Sequence, residues 1–261
     1  MNHITGSTSN KLTKKNDKFN VKINNLAWIR RERAKEAFFC LRLSGHEVSK
    51  GIALDVGCGL GYVTDYFLVK GIQTIGFDIK ANVLSKAKIV NPSMYLLLAS
   101  GVNLPFKDQS FYTVILNDVL EHVSYRDGKF ILKQIRNVMK TKGKLYISVA
   151  NKYQIREPHT LSFFVTWLPR ILYDPIIRKM HNMVSIYPYT VNRLSSLCNE
   201  IGFINKNYTS IYANKKILNI KHIGDFMTKK IIKLLKDIKI SNKFLLYLAE
   251  KFSVILFICE K

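Results

Sequence analysis

Residues 54–62 have the sequence LDVGCGLGY, and this stretch decides how the chain folds. It begins inside the apolar run 51–56, which is typical of a central parallel strand. Glycines then follow at positions 57, 59 and 61. Because glycine has no Cβ, it adopts positive φ at little cost and lets a ligand approach the backbone closely. The stretch therefore predicts a strand that runs into a glycine-rich turn.

A helix and a second strand follow the glycine-rich turn. The helix is predicted from Thr64 to Lys70, and Gly71 can end it. Free N–H groups at the start of a helix suit a carboxylate or a phosphate. The strand Gln73–Phe77 ends in Asp78, whose carboxylate can accept hydrogen bonds from both hydroxyls of a ribose. Together these elements predict a site for a nucleotide-like cofactor.

The chain resembles the class I S-adenosylmethionine-dependent methyltransferases of the broad group called type 11. The resemblance covers residues 50–150 well and residues 185–260 loosely. In that family an acidic residue is followed by G-x-G-x-G, and Asp55 through Gly61 match this motif. The ribose-binding acid of the family corresponds to Asp78. The resemblance therefore implies a methyltransferase with S-adenosylmethionine as its cofactor.

Two further motifs carry the resemblance. Residues 99–106, ASGVNLPF, correspond to the family's G-D-A-x-x-L-P-F, so the adenine-contacting aspartate falls on Ser100, which can still hydrogen-bond the adenine amino group. Residues 117–123, NDVLEHV, resemble the segment that closes over the methionine end of the cofactor, and they are similar to quinone-biosynthetic O-methyltransferases. The cofactor-binding residues that the resemblance implies are Asp55, Gly57, Cys58, Gly59, Gly61, Asp78, Ile79, Ser100, Gly101, Val102, Asn117 and Asp118.

Strands that alternate with helices predict an α/β fold, here a doubly wound, Rossmann-like and mostly parallel seven-stranded sheet with an antiparallel last strand. We predict one domain over residues 20–261 behind a disordered basic tail, 1–19, with a lid insertion at about 155–190 and a basic amphipathic helical insertion at about 218–250. The other predicted elements are the helices Leu26–Leu43, Lys129–Lys140 and Asn192–Ile201, a turn at Lys142–Gly143, and the strands Lys144–Val149, Lys206–Tyr212 and Phe252–Cys259.

The segment 155–190 bears on the acceptor of the methyl group. The resemblance implies that an insertion here makes a lid, and its aromatic composition fits a small apolar, aromatic or lipid-linked acceptor. An oxygen acceptor must lose its proton, and His122 is the first candidate base because histidine titrates near neutral pH. A structural histidine is the alternative interpretation. His159 is the second candidate base, with Glu157 and Tyr153 near it in the sequence.

The net charge of +23 allows three interpretations. The balance is +7 over residues 1–50, +5 over 51–150 and +11 over 151–261, so the excess lies mainly outside the cofactor motifs. One interpretation is a lysine-rich composition without a function. The second is attraction to an anionic membrane surface, and the third is binding to RNA or DNA. Residues 229–240 have the composition of an interfacial helix, and a surface helix packed on the domain is the alternative. No apolar run reaches the ~18 residues of a membrane-spanning helix.

The spacing of the cysteines indicates the cellular compartment. The four cysteines are Cys40, Cys58, Cys198 and Cys259. Their wide spacing argues against a metal site and a disulfide framework and for a reducing cytosol, with a peripheral position at the inner face of the membrane as the alternative.

Two other functions stay open. One is an RNA methyltransferase, and the other is a non-catalytic partner subunit that binds S-adenosylmethionine. The second is kept open by Ser100 and by Tyr112, because the family usually has aspartate at these positions.

Overall fold

The computed structural model describes residues 27–154, 165–181, 186–211 and 254–261. The strands are β1 (Ala53–Val56), β2 (Thr74–Asp78), β3 (Tyr95–Leu98), β4 (Phe111–Asn117), β5 (Met139–Val149), β6 (Ile204–Asn207) and β7 (Ile255–Glu260). The helices are α1 (27–43), α2 (Tyr62–Val69), α3 (Ala81–Val90), α4 (Tyr125–Val138), α5 (Arg170–His181) and α6 (Val191–Ile201), with 3₁₀ turns at Leu120–His122 and Val165–Trp167.

The seven strands form one sheet in the order β3-β2-β1-β4-β5-β7-β6. Strands β1 to β5 pair in parallel, and β7 runs antiparallel to its neighbours β5 and β6. The predicted α/β fold, a Rossmann-like sheet with an antiparallel last strand, is confirmed. After β3 the chain returns to the other side of β1 to form β4, and this reversal is where doubly wound sheets bind ligands.

The strand register brings three polar or flexible positions to one edge of the sheet. Val56 of β1 pairs with Phe77 of β2 on one side and with Leu116 of β4 on the other. The carboxyl ends of these strands therefore meet. The residues that follow these three positions are Gly57, Asp78 and Asn117.

Apolar side chains of the sheet alternate between two packed layers. In β4, Val114 and Leu116 face the layer of α4 and α6, whereas Ile115 faces the layer of α1 and α2. In β5, Leu145 packs in the first layer and Tyr146 in the second. This period of two is the geometry of a strand buried on both faces.

Two predicted elements were wrong in detail. The predicted turn at Lys142–Gly143 lies inside β5, where a positive φ of 62° at Lys142 and a shift in register against β4 mark a bulge. The predicted strand Lys206–Tyr212 ends at Asn207, because the Asn207 side chain accepts a hydrogen bond from the Thr209 N–H (2.9 Å) and the chain then turns helical.

Helix α4 begins four residues earlier than predicted. The Ser124 side chain accepts a hydrogen bond from the Asp127 N–H (3.1 Å), which caps the first turn.

None of the helices in the described residues is long and apolar enough to cross a membrane.

Candidate functional site

The glycine-rich turn between β1 and α2 is closed on two sides and open on the third. A Cβ on Gly57 would lie 2.7 Å from Val119 Cγ2, and a Cβ on Gly61 would lie 2.6 Å from Met94 Sδ. At Gly59 (φ 55°), by contrast, no atom of the described residues lies within 4 Å of the corresponding position. The backbone at Gly59 is therefore the face of the turn that a ligand can approach.

Asp78 holds this turn in place from the end of β2. The Gly59 N–H donates to Asp78 Oδ2 (3.0 Å) and the Lys80 N–H donates to Oδ1 (2.9 Å). The Cys58 N–H donates to the Phe77 carbonyl (2.8 Å), so turn and strand end are joined twice. Asp78 remains half-buried, and each carboxylate oxygen has a further lone pair for a ligand hydroxyl.

Asp55 lies under the turn and joins β1 to the start of α2. Its Oδ2 accepts hydrogen bonds from the Thr64 N–H (3.0 Å) and from the Thr64 hydroxyl (2.6 Å). Burial raises the pKa of Asp55 to about 6, the Thr64 hydrogen bonds oppose this shift, and the nearby charge of Asp78 adds to it. Asp55 therefore supports the site, and its role as a direct cofactor ligand stays a prediction.

A small cleft, open to solvent, lies beside the turn. Asn117 contributes to it from the end of β4, and its Oδ1 is buried without a hydrogen-bond donor among the described residues. The sequence motifs did not point to two other lining residues, Arg30 of α1 and Tyr62 of α2. The lining residues are Arg30, Asp55, Gly57, Cys58, Tyr62, Val63 and Asn117.

Asp118 follows Asn117 with an unusual backbone and a side chain turned toward α1 and β5. Its φ is 54°, and its N–H donates to the Ser148 carbonyl (3.0 Å). The Ser148 hydroxyl donates to Asp118 Oδ1 (2.9 Å), while Arg33 Nε lies 3.7 Å from Oδ2. These contacts fix the loop after β4, and the role of Asp118 as a direct cofactor ligand stays a prediction. Sequence reasoning missed Arg33.

The residues assigned to adenine gather at the ends of β2 and β3. Ile79 and Val102 are exposed apolar side chains, 68% and 43% accessible. The Ala99 N–H donates to the Asp78 carbonyl (3.1 Å), and Ser100 forms a short bridge with Asn103. Gly101 lies against α4, so close that an added Cβ would lie 3.2 Å from Ile131 Cγ1. The structure therefore brings this predicted group next to Asp78.

Glu121 and His122, adjacent in the 3₁₀ turn after β4, have opposite environments. Glu121 is 1% exposed, and its Oε1 accepts a hydrogen bond from the Ala150 N–H (3.2 Å). His122 is exposed. The Glu121 carbonyl accepts a hydrogen bond from the Tyr187 N–H (2.8 Å), which places part of the predicted lid against this turn. Within the described ranges, no three potential metal ligands among His, Cys, Asp and Glu come together.

Aromatic rings and guanidinium groups connect the lid to α4. The Tyr125 ring meets the Tyr187 ring edge-on, with 5.4 Å between their centres. The Arg193 guanidinium lies 3.5 Å from the centre of the Tyr125 ring, and that of Arg170 lies 3.9 Å from the centre of the Tyr187 ring. Such cation–π contacts stabilise a surface without an ion pair. They hold the start of α5 beside the turn that carries His122.

Several predicted features lie outside the described residues. These are His159 and Glu157, the basic tail 1–19, the helical insertion 218–250 with its interfacial helix 229–240, and the parts of the lid at 155–164 and 182–185. They stay predictions.

Comparison with known sequences supports the assignment of the motifs. A family model described as a methyltransferase domain matches residues 54–147. An uncharacterized protein of Methanocaldococcus jannaschii is 41% identical over 101 residues, which are 39% of this chain and 41% of that protein. A ubiquinone biosynthesis O-methyltransferase of Pelagibacter ubique is 29% identical over 117 residues, 44% of this chain and 48% of that enzyme. The chain thus spans less than half the length of these curated relatives.

A solved structure shares the fold. A S-adenosylmethionine-dependent methyltransferase of Archaeoglobus fulgidus superposes with a TM-score of 0.56 and 16% identity, covering 87% of this chain and 94% of that one. The family match and the common fold confirm the resemblance to class I S-adenosylmethionine-dependent methyltransferases. The resemblance also supports S-adenosylmethionine as the cofactor. The glycine turn, Asp78 and Asn117 are suited to this cofactor.

Proposed function

We propose that this chain transfers the methyl group of S-adenosylmethionine to an oxygen atom of a small apolar, aromatic or lipid-linked acceptor. The observation that carries the proposal is the meeting of three groups at one edge of the sheet. These are the open backbone at Gly59, the carboxylate of Asp78 and the buried Oδ1 of Asn117. Each offers the chemistry that a different part of the cofactor requires.

We propose a partner among the described residues for each part of the cofactor. The Gly59 backbone leaves space for its methionine part, and the Asp78 carboxylate can accept both ribose hydroxyls. Asn117 Oδ1 is an acceptor for the ammonium group, and Arg30 on the cleft wall is a donor for the carboxylate. Ile79 next to Asp78 offers an apolar face to the adenine ring.

The chain's own part in the reaction is to position the acceptor and to remove its proton. The bound cofactor supplies a methyl group on a sulfonium, which is an activated leaving group. Alignment of the acceptor oxygen in the cleft can lower the activation free energy by ~7–11 kcal/mol. We assign removal of the acceptor proton to His122, because its exposed imidazole lies in the turn after β4, five positions after the cleft residue Asn117.

The described part of the lid supports an apolar or aromatic acceptor. Tyr187 packs its aromatic ring against Tyr125 and contacts the turn that carries His122, and aromatic walls favour ring-bearing or apolar molecules. The name of the relative from Pelagibacter ubique is consistent with methylation at oxygen. A peripheral position at the inner face of the membrane would bring a lipid-linked acceptor within reach, but transfer of the methyl group does not depend on it.

The first test is calorimetric titration with S-adenosylmethionine and S-adenosylhomocysteine, with NAD as the control. We expect micromolar binding of the first two and no binding of NAD. Absence of binding to all three would contradict the cofactor assignment.

Transfer of a labelled methyl group to quinone precursors, lipid extracts and RNA tests the acceptor. Transfer to the first two supports the proposal, and transfer to RNA alone overturns its acceptor class. Cofactor binding without transfer to any substrate would favour the non-catalytic partner subunit.

A further inference from the structure

Helix α5 carries apolar side chains on two opposite faces. Tyr173 and Ile177, one turn apart, are 3% and 1% exposed and pack against Val165 and Ile186. This contact satisfies the inner face of the helix. A surface helix normally shows polar residues on its other face.

The outer face of α5 is apolar and accessible. Ile171 is 81% exposed, Leu172 54% and Ile176 38%. Trp167 and Leu168, just before the helix, are 42% and 39% exposed. We call these five residues the α5 patch. Single exposed apolar residues are ordinary on a protein surface, but five large ones within ten positions mark an interaction site.

Basic residues surround the α5 patch. Arg170, Arg178 and Lys179 lie in the same helix, and Asp174, the single acid of α5, is bound by Arg170 at 2.9 Å. An anionic bilayer attracts cations close to its surface, and tryptophan is enriched at the membrane interface. The charge of the helix therefore complements a negative surface, and its apolar face suits the boundary of the acyl chains.

The start of α5 is connected to the turn that carries the proposed base. Arg170, at the start of α5, stacks on Tyr187, and the Tyr187 N–H donates to the Glu121 carbonyl (2.8 Å). Glu121 precedes His122 directly. One ring contact and one hydrogen bond thus join the helix that carries the patch to this turn.

We propose that the α5 patch docks on the surface of an anionic lipid bilayer. The apolar side chains enter the boundary between headgroups and acyl chains, and the anionic headgroups attract the net positive charge of the helix. Docking brings the mouth of the cleft to the membrane, so that an apolar acceptor dissolved in the bilayer can enter. The last step rests on the proposed function, whereas docking itself does not.

A pair of matched variants tests docking by sedimentation with phosphatidylcholine vesicles with and without phosphatidylglycerol. Ile171→Asp changes the patch, and Ile89→Asp changes an isoleucine on α3 that is also 81% exposed. Both variants alter the net charge equally. We expect the full chain to bind vesicles with phosphatidylglycerol, Ile171→Asp to weaken binding roughly tenfold and Ile89→Asp to bind as the parent does.

The same comparison excludes other occupants of the patch. Equal binding of both variants, or no binding of the parent chain, overturns the proposal. So does a dimer of the parent that Ile171→Asp dissociates while vesicle binding stays unchanged, because a second copy would then cover the patch. A lower melting temperature of Ile171→Asp with unchanged vesicle binding also overturns it, because the patch would then be covered from within the chain.

A charge reversal and a titration complete the test. Lys179→Glu should weaken binding more than Lys86→Glu, which changes an exposed lysine of α3, and equal losses contradict a specific contact of α5. Titration with S-adenosylmethionine on the same samples separates the two proposals. Vesicle binding without cofactor binding supports docking and contradicts the proposed function, and the reverse contradicts docking alone.

Discussion

Thr64 donates two hydrogen bonds, from its backbone N–H and from its hydroxyl, to the same oxygen of Asp55. This pair joins the end of β1 to the first turn of α2 directly beneath the glycine turn. The carboxyl is fully buried at the position where the family motif begins. Its ionisation therefore connects the stability of the fold with the geometry of the cofactor site.

Asp55→Asn should stabilise the protein at pH 7. Because the folded pKa of about 6 lies above the usual 3.8, the protonated carboxyl stabilises the fold below about pH 4 and this contribution is lost as the pH rises through 6. Asparagine keeps an oxygen for Thr64 and carries no charge. We expect urea unfolding to give a free energy higher by up to about 3 kcal/mol at pH 7, with a smaller advantage at pH 4.5.

The exposed Asp108→Asn serves as the control for that experiment. An advantage of Asp55→Asn that stays the same at both pH values would contradict the raised pKa.

His46 should give the opposite dependence on pH. It is buried, its Nε2 lies 2.8 Å from Thr113 Oγ1, and its ring stacks on Tyr112. Burial lowers its pKa to about 4, and the charge of Lys144 adds to the shift. Neutral His46 therefore stabilises the fold above about pH 6.5, and this contribution is lost as the pH falls toward 4.

Chemical unfolding between pH 7 and pH 4.5 measures the effect of His46. Over this interval we expect the free energy of unfolding of the parent chain to fall by about 2 kcal/mol more than that of His46→Gln. This value is smaller than the full pKa shift implies, because solvent screens part of the interaction. The matched variant His122→Gln replaces an exposed histidine and should follow the parent curve. Identical pH curves for the parent and His46→Gln would refute the burial argument.

Local patterns made the sheet and the strand ends around the glycine turn predictable. The apolar run before Gly57 and the acid at Asp78 each report on their own segment of backbone, so the strand ends could be placed without knowledge of packing. Arg30 and Arg33 could not be found in this way. They reach the cleft and Asp118 from α1, and only the packing of that helix on the sheet brings them there.

Boundaries were missed where side chains or bulges override the hydrophobic pattern. The Ser124 cap adds a turn to α4 ahead of its apolar residues. Lys142–Gly143 has the composition of a turn, but it lies inside β5 as an irregularity between the pairs that Met139 and Lys144 form with β4. The outer face of α5 was not recognised either, because its exposure depends on which side of the helix the core contacts.

Gly59→Ala should abolish or strongly weaken cofactor binding without a comparable loss of stability. Alanine at φ 55° costs about 1 kcal/mol, and its methyl group enters the space that we assign to the cofactor. Gly45→Ala is the matched control, because Gly45 also has a positive φ (75°) and no described atom near its Cβ position. We expect similar melting temperatures for the two variants and, by calorimetry, at least roughly tenfold weaker S-adenosylmethionine binding for Gly59→Ala alone.

Asp78→Ala supplies a second check of the same site, since it removes the acceptor of the Gly59 N–H and of the ribose hydroxyls. Unchanged affinity in both Gly59→Ala and Asp78→Ala would place the cofactor elsewhere.

His122→Gln should lower turnover and leave cofactor affinity unchanged. The exposed imidazole lies on the turn after β4, away from the Asp78 side of the cleft, so its loss removes proton transfer and spares the residues assigned to the cofactor. General-base catalysis contributes typically 10²–10⁴-fold, and a loss of this order in kcat is expected.

The readout that separates a base from a structural histidine is the pH profile. A base gives a kcat that rises with pH in the parent chain and loses this dependence in the variant, and partial rescue by added imidazole would support the assignment. A parallel fall in melting temperature and in cofactor affinity would instead assign His122 to the structure of the turn.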